Sequence, residues 1–276
     1  MAAARSERPV LITGPQGCGK DHLARAIHTW SGRSSGPYVV VSTSIVPEGM
    51  FARELFGAAG AGQEGALDRA AGGTLLIDGV ERLVETVRAL LARAIGEGRF
   101  QRESESTPTP LRARIIATSP KLPERSPFGE ANQHPIRILP LAERPEDILP
   151  LAAHFLRLHA DEEGMAAVGF TAEARSALLV ETWPGNVREL GERIRQAVRL
   201  AGNGAVSAEA LLLASPDTDQ VPSFKEAKRA FETRYVIGLL RRCAGNISRA
   251  ARLAKKDRKD FYDVIRRTGI DPTEFR

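Results

Sequence analysis

Five short runs of consecutive apolar, often β-branched residues punctuate the first half of the chain: Val10–Thr13, Tyr38–Ser42, Thr74–Asp78, Arg114–Thr118 and Ile136–Leu139. Runs that are apolar at successive positions suit strands covered on both faces. Between them the spacing turns helical. Lys20–Trp30 reads as one helix and Glu81–Gly96 as another, with Val80, Leu83, Val84, Val87, Leu90, Leu91, Ala94 and Ile95 forming one apolar stripe. Strand–helix alternation predicts a parallel sheet with crossover helices.

After Pro140 the strand-like runs stop. Pro145 opens a helix over Glu146–Glu162, Thr171 opens a second to about Glu181, and Asn186 caps a third. Asn186 and Glu189 have the spacing of a capping box. The fold class expected is α/β: an α/β core over 1–140 followed by a helical subdomain over 141–213. Residues 214–222 (ASPDTDQVP) are polar, acidic and proline-bounded, and read as a linker. Residues 223–276 form a last, all-helical domain. It begins with a capping box at Ser223 and Glu226, runs as a long helix to Cys243, breaks at Gly245 and continues as two shorter helices.

Charge sharpens the last boundary. The chain of 276 residues carries a net +5, yet Ser223–Arg276 holds 15 Lys and Arg against 7 Asp and Glu. The rest holds 24 against 27, so all the excess positive charge sits in the last fifth. That asymmetry suits a small polyanion-binding module joined to a near-neutral larger domain. A 42% hydrophobic share with 5% aromatic residues predicts a core of Leu, Ile, Val and Ala. No apolar run is long enough to cross a bilayer, and MAAARSERPV has no secretory apolar stretch. Cys18 and Cys243 lie far apart with no ligand spacing. A reduced, cytoplasmic protein without membrane attachment is the expectation.

Gly14-Pro-Gln-Gly-Cys-Gly-Lys20 fits GxxxxGK between a strand and a helix. In that setting backbone N–H groups curl around phosphate oxygens, Lys20 neutralises the β/γ charge and the helix N-terminus adds its dipole. The expected cofactor site is therefore Gly14, Gly17, Cys18, Gly19, Lys20 and Asp21, taking ATP or ADP with Mg²⁺. Asp21 stands where Ser or Thr is usual, and would hold the metal through water. Cys18 reads as a small loop residue. Gly73-Thr-Leu-Leu-Ile-Asp78, an apolar strand ending in a carboxylate, supplies a second metal-facing group.

Together, Gly14–Asp21, Glu54-Leu-Phe-Gly57, Gly72–Asp78 and Trp183-Pro-Gly-Asn-Val-Arg-Glu-Leu190 resemble the bacterial enhancer-binding AAA+ activators of sigma-54 RNA polymerase. Residues 223–270 resemble the Fis-type helix-turn-helix that follows in that family. The resemblance implies a P-loop AAA+ core, a helical lid, a hexameric ATP-fuelled ring and a loop that presses on the sigma factor. It also implies that Arg188 is the sensor-two arginine facing the nucleotide. Several family features differ here. ELFG is followed by Ala58-Ala-Gly-Ala-Gly-Gln-Glu-Gly65 without the GAFTGA Phe-Thr pair. Asp78 is followed by Gly79 instead of the water-orienting Glu, and Glu81 is expected to face elsewhere. Gly129 stands where the first arginine finger belongs, and Thr118-Ser119 replaces Thr-Asn. Lost fingers alone slow such enzymes by about 10³–10⁵.

At the C-terminus, Asn246–Ala254 and Asp257–Gly269 read as two helices around a tight turn, with Asp257 as N-cap of the second. Ser248, Arg249 and Arg252 are placed to meet phosphates of double-stranded DNA. Arg258, Lys259, Tyr262 and Arg266 lie on the exposed face of the recognition helix. Asp260 and Asp263 are set against Lys256 and Lys259 at four-residue spacing. By the family pattern the long helix before Cys243 makes a dimer contact and Lys255 occupies a turn position usually held by Gly.

The reading that follows is a DNA-binding transcriptional regulator that binds ATP, hydrolyses it poorly and lacks the GAFTGA contact. Its partners are double-stranded DNA, copies of itself as dimer or ring, and RNA polymerase. Two alternatives stand beside it: an active ATPase that remodels sigma-54 polymerase, and a non-catalytic partner subunit of such activators.

Overall fold

Four of the five apolar runs become strands at the places their patterns mark, and the fifth becomes one nearby. In the computed structural model, which describes residues 2–58, 64–129, 133–166, 168–213, 232–233, 235–240, 243, 245–254 and 256–275, strand β1 spans Val10–Thr13, β2 Tyr38–Ser42, β3 Thr74–Asp78, β4 Arg114–Ser119 and β5 His134–Arg137. They form one sheet in the order β2-β3-β4-β1-β5, with every neighbouring pair parallel. The central strands β1, β3 and β4 are buried almost throughout, which is why their sequences show no polar alternation.

Successive side chains still part to opposite faces. Leu11, Leu75, Ile77, Ile115 and Ala117 join Phe51, Leu55, Leu67, Val87 and Leu91 in one core. Val10, Ile12, Leu76 and Ile116 join Ala24 and Ile27 of the helix Lys20–Thr29 in the other. That helix is tied to the sheet by a buried bond of 2.9 Å between His28 Nδ1 and Thr74 Oγ1. Burial and the nearby Arg25 push the His28 imidazole below its ordinary value.

Three expectations need correction. The fifth strand is His134–Arg137 and not Ile136–Leu139, because it registers Val10 against His134 and Thr13 against Arg137. Pro135 is tolerated there since β5 is an edge strand, paired on one side only. Glu81–Gly96 is not one helix. A 3₁₀ turn over Val80–Arg82 comes first, Leu83 and Val84 are extended, and an α-helix runs over Glu85–Glu97. The stripe is accordingly imperfect: Val80, Leu83, Val87, Leu91 and Ala94 are buried, whereas Leu90 is exposed. The helix expected at Glu146 likewise begins as a 3₁₀ turn over Pro145–Asp147 and becomes α over Ile148–Glu163.

The chain divides into two compact units, residues 1–143 with 185–188, and residues 144–184 with 189–276. The second contains the helices Ile148–Glu163, Ala172–Val180 and Ala208–Leu213, most of the helix Asn186–Ala201, and a short parallel pairing of Gly169–Phe170 with Ala205–Val206. Thr171 caps its helix by accepting a bond from the Ala174 N–H. Trp183 is buried, donates through Nε1 to the Leu178 carbonyl at 3.0 Å, and lies under the Arg193 guanidinium at 4.8 Å. Arg193 in turn pairs with Glu181 and Glu189.

Near the C-terminus the helices Ile247–Leu253 and Arg258–Thr268 pack Ala250, Ala251, Phe261, Val264 and Ile265 with Val236, Leu239, Leu240 and Cys243. Gly245, at φ +74°, ends the preceding helical segment as its N–H reaches the Leu240 carbonyl. The proposed linker 214–222, the capping box at Ser223 and Glu226, and Lys255 lie outside the described residues.

Candidate functional site

The parallel sheet gathers the polar groups at the C-terminal ends of its three central strands, where ligands bind in open α/β sheets. The register sets Asp78 beside Thr118, and Thr13 beside Ser119. The loop Gly14–Gly19 leaves β1 there and feeds the helix that starts at Lys20.

Glycine is needed in this loop for two separate reasons. Gly17 and Gly19 take φ values of +75° and +100°, a region costly to residues with a Cβ. At Gly14 and Gly17 a Cβ would also stand 2.6 Å from the Ile138 carbonyl oxygen and 2.3 Å from the Gly185 carbonyl oxygen. At Gly19, by contrast, there is open space within 4 Å. The result is a backbone cradle walled behind and open in front, at the N-terminus of a helix. It fits an anionic phosphate. Lys20 Nζ donates to the Gly14 and Pro15 carbonyls at 2.9 and 3.0 Å, so its ammonium is already at the mouth of the loop. Cys18 is buried, its Sγ facing Gly14.

Asp21 begins the helix beside Lys20. Burial and the neighbouring Asp78 hold its carboxyl above the usual carboxylate range, while Lys20 and Arg188 act in the opposite sense. Asp21, Asp78, Lys20 and Arg188 therefore share one electrostatic environment. The Asp78 carboxylate accepts from Thr118 Oγ1 at 2.5 Å and from Ser42 Oγ at 3.3 Å. A carboxyl whose ionisation is opposed by a neighbouring carboxylate suits a divalent cation carried in with phosphate. The sequence marks Thr118 only as part of the Thr118-Ser119 pair, and Ser42 only as the end of a strand. What the sequence does not show is their place beside Asp78, each lying near the end of a strand adjacent to its own.

Asn186, expected as a helix cap, makes two long-range bonds through its side-chain amide. Its Oδ1 accepts from the Leu141 N–H at 2.8 Å, and its Nδ2 donates to the Gln16 carbonyl at 2.9 Å. The backbone there is left-handed, φ +56°, a conformation that Asn tolerates better than other side-chain-bearing residues. The next contact follows directly: the Arg188 N–H donates to the Gly17 carbonyl at 3.1 Å. Residues 185–188 thus back the phosphate loop.

Two positions that the resemblance marks as altered are built around glycine. Gly79 has φ +85°, and a Cβ on it would lie 2.5 Å from Thr43 Oγ1, the hydroxyl that donates to the Asp78 and Gly79 carbonyls. Gly129 has φ +62° and would set a Cβ 3.1 Å from that of Ala92. Glu81, expected to face elsewhere, is exposed and stays close to Gly79. Its Oε1 is 3.6 Å from the point a Cβ of residue 79 would occupy.

Of the segment after ELFG, residues 59–63 lie outside the described residues, but its base is well defined. A Cβ on Gly65 would stand 2.4 Å from the Gly57 nitrogen, so the two backbones touch. The Glu103 N–H donates to the Gly57 carbonyl, and Arg102 bridges Asp68 and Glu105 beside it.

In the C-terminal helices Arg249, Arg252, Arg258, Lys259, Tyr262 and Arg266 are exposed and Ser248 is half-buried. Asn246 caps the first helix through a bond from the Arg249 N–H. Asp257 occupies the N-cap of the second in extended geometry, but its side chain makes no capping bond there. Nor, among the described residues, does an ion pair join Asp260 to Lys256 or Asp263 to Lys259; each carboxylate stays on the solvent face.

Comparison with known proteins agrees with this geometry. The model of the sigma-54 interaction domain family matches residues 1–128, and that of the AAA+ ATPase lid domain matches residues 142–223. The transcriptional regulatory protein GlrR of Escherichia coli is 34% identical over 291 residues, covering 99% of this chain and 65% of GlrR. The sigma54-dependent transcriptional activator SfnR of Pseudomonas putida is 35% identical over 228 residues, covering 77% of this chain and 62% of SfnR. The chain thus spans somewhat less than two thirds of these relatives. Crystal structures of NtrX from Brucella abortus in complex with ADP and with ATP superpose with TM-scores of 0.70 and 0.68 at 28% identity. They cover 97% and 98% of this chain, which spans 66% and 65% of those chains. The chain therefore joins a sigma-54 interaction domain to an AAA+ lid domain, and the relatives it resembles are transcriptional regulators.

Proposed function

We propose that the chain is a DNA-binding transcriptional regulator that binds ATP and turns it over slowly, without the GAFTGA contact to sigma-54. The observation that carries this reading is a contrast within one site. The phosphate cradle of Gly14–Lys20 is fully built and backed by Asn186 and Arg188. The positions where the family bears its water-orienting Glu and first arginine finger are left-handed glycines, each close against a neighbour.

In this reading the backbone of Gly14–Gly19 and Lys20 hold the phosphates of ATP or ADP, with Arg188 facing them. Asp78 and Asp21 would hold Mg²⁺, which would neutralise phosphate charge. Cys18 packs behind the loop. Loss of a finger removes stabilisation of the charge that develops on the phosphoryl group, a large electrostatic term in such reactions. Binding should therefore survive better than turnover.

The proposed organisation is a core over 1–140, a lid over 141–213, a linker over 214–222 and a helix-turn-helix over 223–276. Ser248, Arg249 and Arg252 meet phosphates, and Arg258, Lys259, Tyr262 and Arg266 face base edges, of double-stranded DNA. The exposed basic surface of the last two helices and the charge of the last fifth of the chain support it. RNA polymerase and further copies of the chain, as dimer or ring, are the remaining proposed partners, and the cytoplasm the proposed compartment.

The test is nucleotide binding and turnover on one purified sample, with Lys20→Ala as control. ATP binding lost in Lys20→Ala, with wild-type turnover far below that of GlrR, supports the reading. Rapid turnover abolished by Lys20→Ala would restore the active remodelling ATPase. Absence of binding would sink the nucleotide site.

A further inference from the structure

We propose that Glu81 supplies the carboxylate that orients the attacking water, two residues beyond the position where the family carries it. This rests on the nucleotide-binding reading above and assigns the group responsible for the slow turnover.

The argument begins with backbone. Gly79 is left-handed and its open side is filled by Thr43 Oγ1, so position 79 has no room for a functional side chain. The same left-handed residue turns the chain at once into the 3₁₀ turn Val80–Arg82, closed by the Arg82 N–H on the Gly79 carbonyl and the Leu83 N–H on that of Val80. Val80 goes into the core. Glu81 goes to solvent, yet its Oε1 stops 3.6 Å from where a Cβ of residue 79 would begin. That separation is what a glutamate side chain itself spans between Cβ and carboxylate. A carboxylate thus stands as far from that point as one borne on residue 79 would.

Asp21 begins the helix beside Lys20 and is assigned to the metal, and two further carboxylates are engaged. Both oxygens of Asp78 accept hydroxyl hydrogen bonds. Glu85 faces Arg88 and Arg125. Among the described residues no hydrogen bond or ion pair engages Glu81, which leaves its lone pairs open to water. In the step assigned to it, a water O–H donates to the Glu81 carboxylate. The water oxygen forms a bond to the γ-phosphorus while the bond from that phosphorus to the β–γ bridging oxygen breaks. ADP leaves with the bonding pair, and the water proton passes to Glu81 and from there to the released phosphate. Exposure to solvent weakens such a group relative to one held in a closed site, consistent with slow turnover.

The experiment compares wild type, Glu81→Gln and Glu85→Gln in the full chain. It measures ATP turnover, ADP affinity, and affinity for ADP with aluminium fluoride, which stands for the phosphoryl group in flight with water in line. Glu81→Gln is expected to lower turnover about 100-fold and to lose the extra affinity conferred by aluminium fluoride, with ADP affinity unchanged. Glu85→Gln should match wild type in all three. Unchanged turnover and fluoride-complex affinity in Glu81→Gln would overturn the assignment. So would wild-type turnover no greater than that of Lys20→Ala when ATP is bound, an outcome that leaves the nucleotide-binding reading intact. Failure to bind ATP or ADP would overturn both.

Discussion

Replacing Asn186 by Ala should damage the phosphate loop and the stability of its unit together. The side chain is 3% exposed and its amide bridges the Leu141 N–H and the Gln16 carbonyl. Removing it leaves a buried N–H without that acceptor, at about 1–3 kcal/mol, and deletes a second bond of about 1 kcal/mol. Ala must also hold φ +56°, at about 1–2 kcal/mol. The expected loss is about 3–6 kcal/mol, which moves a urea midpoint by roughly 1.5–3 M at an m-value of about 2 kcal/mol/M. Asn186→Gly separates the terms. It loses the same hydrogen bonds without the left-handed penalty, so it should fall about 1 kcal/mol short of the Ala variant. ATP affinity should drop about tenfold in both, because Gln16 must then be ordered on binding, at about 1–2 kcal/mol. A loss under about 1 kcal/mol in Asn186→Ala, or an equal loss in Ala and Gly variants, would refute this account.

Trp183→Ala should cost about 3–5 kcal/mol by leaving a cavity, read as a lower denaturation midpoint. A smaller loss than that of Leu178→Ala would contradict the central role given to the ring. Asp21 has a raised carboxyl pKa, so its contribution to stability is present below the ordinary value of 3.8 and is lost as pH rises through the folded value. Asp21→Asn should therefore be more stable than wild type at neutral pH, with the gain disappearing in acid; urea midpoints from pH 3 to 8 decide it. His28 runs the other way, its depressed pKa giving stability that is present above 6.5 and lost as pH falls through the folded value. His28→Asn should flatten that limb of the same profile. In DNA binding, Arg252→Ala should weaken affinity for all sequences alike and reduce the salt slope by about 1, whereas Arg258→Ala should relax sequence preference. Equal effects of the two on specific and random duplexes would reject the division of roles.

The central strands were legible because burial on both faces leaves an unbroken apolar signature, and β1, β2 and β3 ended where their patterns did. The phosphate loop was legible because its glycines answer to local backbone demands. What sequence could not supply was anything set by distant partners. Ile136–Leu139 is the more apolar run, yet pairing with β1 selected His134–Arg137 as the strand. Asn186 and Glu189 have capping-box spacing, which says nothing of the bonds that the Asn186 amide makes to Leu141 and Gln16, each far away in sequence. The 3₁₀ turn that holds Glu81 was missed for a related reason. Helical periodicity was extended back through Val80, whereas the left-handed Gly79 had already imposed a tighter turn.

The contact between Gly57 and Gly65 has a consequence in chain statistics. When both ends of a surface segment are clamped to each other by the folded core, the segment's length becomes nearly independent of the core's stability. Closing a loop grows dearer only with the logarithm of its length, so doubling the stretch between the two glycines adds about 0.6 kcal/mol. Residues can be lost or gained there in single steps, each close to neutral for folding, while Gly57 and Gly65 themselves cannot change. The fold thus separates two kinds of change: those in the number of residues between the glycines, which cost it little, and those at the glycines themselves, which cost it directly.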